Sequence, residues 1–332
     1  MALMVLHCGQ DKAGRNDTGT TITEDSVTEI LHRRNIREKR VSHHYLDAVP
    51  SRRELRFLDE MAAEILPEDP TPSLDEISAQ PDVEHLGTPK HAPQQPAERL
   101  RVIVIGSDAS LGAVLTRMMR ADYLWAEVGY VPGEESSAAA VNWAIPTDPE
   151  AALEIAVAAS VHPAPLIRTD TGLAVAGSAT ISNWDNHEFT GEIIVDDTIL
   201  VRHEGADQVR FHGVFGTRLV PMTDAPGIAA VRATSPVAAL ADTTPGGLGG
   251  WLATRLDPAR LQKLSESGLL ANSLRQAPPR TGLVAPESLR SGRAVQAGGP
   301  ALAVTVDGVR ARRAVERSTF YRHLRDLQIV RL

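Results

Sequence analysis

Five small or acidic residues, Gly106-Ser107-Asp108-Ala109-Ser110, follow the apolar run Val102–Ile105. Behind them Leu111, Val114, Leu115, Met118 and Met119 recur at helical spacing. A strand, a tight small-residue turn and a helix N-terminus together form a common phosphate-binding device, because free backbone N–H groups and the helix dipole attract anions. The turn therefore either holds a nucleotide or is the remnant of one that did.

Other arrangements that could carry chemistry are weaker. Gly9 and Gly14 have P-loop spacing, but Arg15 and Asn16 follow where Lys and Ser or Thr must hold phosphate and metal. His43, His44, His203, His212 and His323 do not fall at metal-ligand spacings and read as exposed or core histidines. No G-x-S-x-G, H-E-x-x-H or G-x-G-x-x-G constellation is present. The single cysteine, Cys8, excludes an intramolecular disulfide and reads as a small buried hydrophobe. One basic region, Val309–Arg331, contains Arg317, Arg322 and Arg325 around Phe320 and Tyr321. It is read either as a strand with solvated arginines or as a contact for phosphate, a lipid or an anionic membrane surface.

The elements that must position these residues follow from periodicity. Ala2–Cys8 is an apolar strand, and Val27, Ile30 and Leu31 mark a helix. Val41 and Tyr45 lie in a second strand, and Leu55, Leu58, Ala62 and Ile65 mark a second helix behind a Ser51/Glu54 capping box. Residues 67–98 contain seven prolines and seven acids against one lysine, and read as an exposed insertion or linker. Strand–helix alternation resumes at Arg101 and runs to Val161, with Thr147 and Glu150 as a further capping box. This alternation predicts a mostly parallel sheet over residues 1–162.

After Pro163 the pattern becomes short alternating strands punctuated by Gly, Asp and Pro, which predicts an antiparallel β-sandwich over 163–332. Pro245–Gly250 opens a helical insertion spanning about 245–290, and Asp307-Gly308 is a hairpin turn. The expected class is therefore α/β plus all-β: a nucleotide-binding-like α/β domain, then an antiparallel β-sandwich domain.

The bulk numbers fit. The 332 residues suffice for two domains, and 42% hydrophobic with 4% aromatic content means cores of aliphatic residues. A net charge of −8 disfavours nucleic acid as a partner. No apolar run reaches the ~18 residues of a spanning helix. The expected location is cytoplasmic, with peripheral membrane contact through the arginines as the variant.

In this organisation the chain resembles the diacylglycerol kinase catalytic-domain family of bacterial lipid kinases, whose relatives include sphingosine kinases and, more distantly, NAD kinases. Gly106-Ser107-Asp108-Ala109-Ser110 stands where the family has Gly-Gly-Asp-Gly-Thr, and "VPGEESSAAAVNWAIP" fits I-P-x-G-T-x-N-D-x-A followed by I-P. The resemblance implies ATP and Mg²⁺ as cofactors, with Asp108 and Ser110 at the phosphate–metal end and a diacylglycerol-like hydroxyl as acceptor. It also implies an aspartate general base in the β domain, for which Asp196, Asp197 and Asp224 are the candidates by region.

The departures are specific. Glu134-Glu135 replaces Gly-Thr, and Ser107 and Ala109 replace glycines. Carboxylates repel a triphosphate: unit charges about 4 Å apart interact by about 4 kcal/mol at an effective dielectric near 20. A bound Mg²⁺ reverses that sign. Two readings result. One is a relative with degenerate phosphate loops, weak or absent phosphoryl transfer, and a ligand or protein partner, including a second copy, in the interdomain cleft. The other is an active ATP- and Mg-dependent lipid kinase.

Overall fold

The computed structural model describes residues 1–10, 22–36, 40–79, 87–204, 213–237 and 281–332. In chain order these form β1 (Ala2–Cys8), α1 (Glu24–Arg33), β2 (Arg40–Leu46), α2 (Arg56–Ile65), α3 (Leu74–Ser78) and β3 (Leu100–Gly106). Next come α4 (Asp108–Arg120), β4 (Glu127–Pro132), α5 (Ala138–Asn142), α6 (Pro149–Ala158), β5 (Val161–Ala164), β6 (Ile167–Thr169) and β7 (Ala174–Val175). The remaining strands are β8 (Ala179–Asn183), β9 (Thr190–Val195), β10 (Thr198–Glu204), β11 (Gly216–Pro221) and β12 (Ile228–Ala233). They are followed by β13 (Val284–Gly292), β14 (Ala294–Val306), β15 (Val309–Arg310), β16 (Val315–Arg322) and β17 (Leu327–Val330).

The chain divides into two units. The first holds Met1–Ser178, Val220–Ile228 and Phe320–Leu332; the second holds Ala179–Leu219 and Ala229–Thr319. The first is built on a sheet of order β2-β1-β3-β4-β17-β5, parallel except where β17 meets β5. Residues of β1 and β3 are buried throughout, which is why Ala2–Leu6 and Val102–Ile105 read as unbroken apolar runs and not as alternation. Helix α4 buries Leu111, Val114, Leu115 and Met118 completely, at about 1.5–3 kcal/mol each before entropy is counted.

The second unit is antiparallel. Strand β8 lies between β11 and β14, and β14 also pairs β9 and β15. The Asp307-Gly308 turn behaves as read: φ is +48° and +80°, the left-handed pair that a tight hairpin requires.

Several expectations change. Helix α6 is capped by Asp148, whose side chain accepts from the Ala151 N–H, and not by Thr147; Pro149 occupies its first turn. Of the helical insertion expected at about 245–290, residues 284–290 belong to β13, and the rest up to 280 lies outside the described residues. The last segment, placed in the β domain from its alternation, instead enters the first sheet as β17.

The proline- and acid-rich stretch, expected as an exposed insertion or linker, is largely exposed, and its described parts, 67–79 and 87–98, are strapped down. Arg322 donates to the Gly87 carbonyl at 2.8 Å and to Asp326 at 2.9 Å, and the other oxygen of Asp326 accepts from the Lys90 N–H at 2.9 Å. Arg325 donates to the Pro72 carbonyl at 3.0 Å and pairs with Asp122 at 3.0 Å and Asp69 at 3.6 Å. Composition alone could not reveal this, because the partners are backbone carbonyls and arginines far along the chain. Arg322→Ala removes a buried side chain and leaves its acceptors unmet, at about 1–3 kcal/mol. We expect it to accelerate limited proteolysis within 87–98; an unchanged cleavage rate would refute the strap.

Candidate phosphate-loop site

The turn after β3 is shaped by close backbone approach. A Cβ on Gly106 would lie 2.6 Å from Ser110 Oγ and 2.9 Å from Cys8 Cβ, so only glycine fits. The Gly133 N–H donates to the Gly106 carbonyl at 2.7 Å, which joins the end of β4 to the end of β3. Ser107 caps α4, its Oγ accepting from the Ser110 N–H at 3.2 Å, and the Ser110 hydroxyl donates back to the Ser107 carbonyl at 2.6 Å. Ser110 is wholly buried, so its hydroxyl does not face an open site.

Asp108 is the centre of the arrangement. Its Oδ1 accepts from Ser137 Oγ at 2.5 Å and lies 3.0 Å from the Tyr130 hydroxyl. Its Oδ2 accepts from the N–H groups of Ala138 at 2.8 Å and Ala139 at 3.2 Å. The next N–H, of Ala140, is taken by Ser137 Oγ at 3.0 Å. Gly177 closes over the carboxylate: a Cβ there would stand 2.3 Å from Oδ2. Burial, and then the charge of Asp108, push the Tyr130 phenol up, so it stays a neutral donor. The amides that begin α5 are thus filled by the protein's own anion.

Glu134 and Glu135 are exposed and line a groove of about 720 Å³ between α1, the end of β4 and the start of α6. Its charged lining is Glu29, Glu134, Glu135, Asp148 and Glu150 against one cation, Arg33, over an apolar floor that includes Ile30, Pro132 and Leu153. Arg33 already faces Glu150 at 3.6 Å. The groove lies at the carboxyl end of the parallel strands, the usual ligand position in such sheets.

Each oxygen of Asp108 already lies within hydrogen-bond reach of two donors, and among the described residues no group of three His, Cys, Asp or Glu could hold a metal by itself.

No protein-family model matches the chain, and no curated protein matches its sequence. Solved structures do match. A crystal structure of a diacylglycerol kinase from Bacillus anthracis str. Sterne aligns over 100% of this chain and 97% of its own, at a TM-score of 0.54 and 9% identity. Two further structures from that strain align over 100% of this chain at TM-scores of 0.55 and 0.54, with 8% and 9% identity, covering 97% and 98% of their own chains. The chain has the diacylglycerol kinase fold.

Within the diacylglycerol kinase fold the remaining candidates are distributed as follows. Asp196 lies in the β9–β10 turn at φ +52°, where its carboxylate accepts from the N–H groups of Arg293 and Ala294, each at 2.9 Å. Asp197 is exposed beside Thr198, which donates to it at 3.2 Å, and both aspartates belong to the second unit. Asp224 is exposed in the short stretch that returns to the first unit. Of the arginines read as one basic patch, Arg317 is exposed in the second unit, while Arg322 and Arg325 spend their donors on the strap. His212 lies outside the described residues.

Sequence reading missed Tyr130, Ser137 and Gly177, the residues that close around Asp108. Ser137 was legible, since a serine before a short apolar run is a helix cap; Gly177 was not, because its partner is distant in sequence. Arg101 was also missed. It is 2% exposed and donates to Glu127 at 2.6 Å and to the Val157 and Ala159 carbonyls at the end of α6. Burial pushes the Glu127 carboxyl up, but Arg99 and Arg101 outweigh it and hold it below its ordinary value.

Proposed function

We propose that this chain uses the diacylglycerol kinase fold to bind a ligand in the acidic groove of its first unit, without ATP-dependent phosphoryl transfer. The single observation that supports this most is the Asp108 carboxylate seated on the Ala138 and Ala139 N–H groups. Phosphoryl transfer depends on positioning and on stabilising spreading negative charge, so donors already committed to an internal anion are unavailable to it. The acidic lining of the groove acts in the same direction, since a triphosphate would meet five carboxylates and one guanidinium.

The active lipid kinase is the rival, and it would need Glu134 and Glu135 to carry Mg²⁺ against the nucleotide. A thermal-shift titration with ATP, ADP and MgCl₂, beside a diacylglycerol phosphorylation assay, separates the two. A ligand at 100 times its Kd that binds only the folded state stabilises it by about 2.7 kcal/mol. The expected result is no shift with any nucleotide and no lipid phosphorylation. Replacing Glu134-Glu135 by Gly-Thr removes two negative charges and is expected to improve nucleotide binding. A Mg-dependent ATP shift in the unmodified protein, lost in the Glu134→Gln/Glu135→Gln variant, would establish the rival.

A further inference from the structure

The ends of β1 and β2 hold a group of aromatic and titratable side chains that the phosphate-loop site does not use. His7 is fully buried, with Nε2 3.1 Å from His43 Nδ1 and Nδ1 3.3 Å from Gln10 Oε1. Tyr45 stacks on His7 at 4.7 Å, and its hydroxyl donates to Glu24 at the start of α1 at 3.1 Å. Strand β2 is an edge strand, held by one ladder with β1, by these side chains, and on its other face by the His44–Phe57 stack and the Arg40–Glu64 ion pair to α2.

The proton positions follow from the partners. With Gln10 Oε1 as acceptor, His7 carries its proton on Nδ1, and its Nε2 is a lone pair. His43 must then donate from Nδ1, which leaves its half-buried Nε2 to take the first proton from solvent. That protonation breaks nothing. A second proton has only His7 Nε2 to enter, and there it faces the His43 N–H and ends the hydrogen bond.

We propose that the His7–His43 pair is an acid-operated latch on the β2 edge, closed while it carries at most one proton and released by the second. The groups acting on the pair are Glu24 from α1, whose charge favours protonation, and Tyr45 and Gln10, which hold the rings. His44 points to the other face, stacked on Phe57 of α2 at 4.0 Å, and a charge on His43 disfavours its own. Burial lowers both members of the pair, so the folded latch resists protons that the open form accepts.

Hydrogen exchange of the full chain between pH 7.5 and 4.5, corrected for intrinsic rates, tests this. Opening coupled to proton uptake rises about tenfold per pH unit per proton. Peptides covering β2 and α1 are expected to open with this dependence and ahead of β3 and β4, which report global unfolding. His7→Gln, which removes the site of the second proton, should remove one proton's worth of the slope; His7→Asn, should the first variant fold poorly, should do the same. Loss of protection everywhere at once, no dependence in β2 and α1, or a wild-type slope in a folded variant would each overturn the latch.

Discussion

Asp108→Ala is expected to lower the unfolding free energy by about 3 kcal/mol, read from urea denaturation at neutral pH. The substitution strips the acceptor from two N–H groups and the Ser137 hydroxyl packed beneath Gly177, while the Tyr130 hydroxyl keeps the Gly106 carbonyl at 3.0 Å. A buried donor left unmet costs about 1–3 kcal/mol, and partial entry of water keeps the total below the sum. Asp108→Asn should fall between, because its NH₂ turns toward groups that are themselves donors. A purely catalytic aspartate behaves oppositely, since its removal abolishes turnover and leaves stability nearly unchanged. A loss below about 1 kcal/mol in the alanine variant would show that the carboxylate does not hold the two loops together.

Acid is expected to destabilise the protein steeply, and His323 to carry a full proton's share. The ring is 3% exposed; burial, then the guanidinium groups of Arg168 and Arg325, push it down to about 3. Arg168 itself lies over Tyr321 at 4.6 Å, which keeps its charge near the ring. An unfolded histidine titrates near 6.5, so the unfolded chain binds a proton that the native one refuses. The contribution of His323 is therefore complete above pH 6.5 and is lost as pH falls towards about 3. Its slope is about 1.4 kcal/mol per pH unit, or about 3 kcal/mol by pH 4.5. Denaturation midpoints of wild type and His323→Leu at pH 7.5, 6 and 4.5 check this. The variant should lose one proton's slope; equal slopes would place the proton elsewhere.

Much of the fold was legible because its signals are local. Residues Val102–Ile105 are buried on both faces and so form an uninterrupted apolar run, and Leu111, Val114, Leu115 and Met118 repeat at the helical period. The Asp307-Gly308 turn declares itself by residue type. What failed was non-local. Nothing in "LQIV" states which sheet it joins, and nothing in a proline- and acid-rich stretch announces that Arg322 and Arg325 will grip its carbonyls. The site was half legible for the same reason. Its loop was found from spacing, but the occupation of its amides depends on where the Asp108 side chain turns, and spacing does not encode that.

The placement of β17 also has a consequence for how the molecule comes into being. Gln328 pairs with Glu127 of β4 on one side and with Pro163 of β5 on the other, so β17 is an interior member of the first sheet. During synthesis the ribosome completes β1 to β5 long before it reaches this strand. Until residues 327–330 emerge, β4 and β5 stand apart with unpaired edges, and apolar edges of that kind invite association with other chains. The nascent first unit must wait, partly open, while the whole second unit is made. Its closure is a late, long-range event, which favours slow folding and dependence on chaperones that shield strand edges.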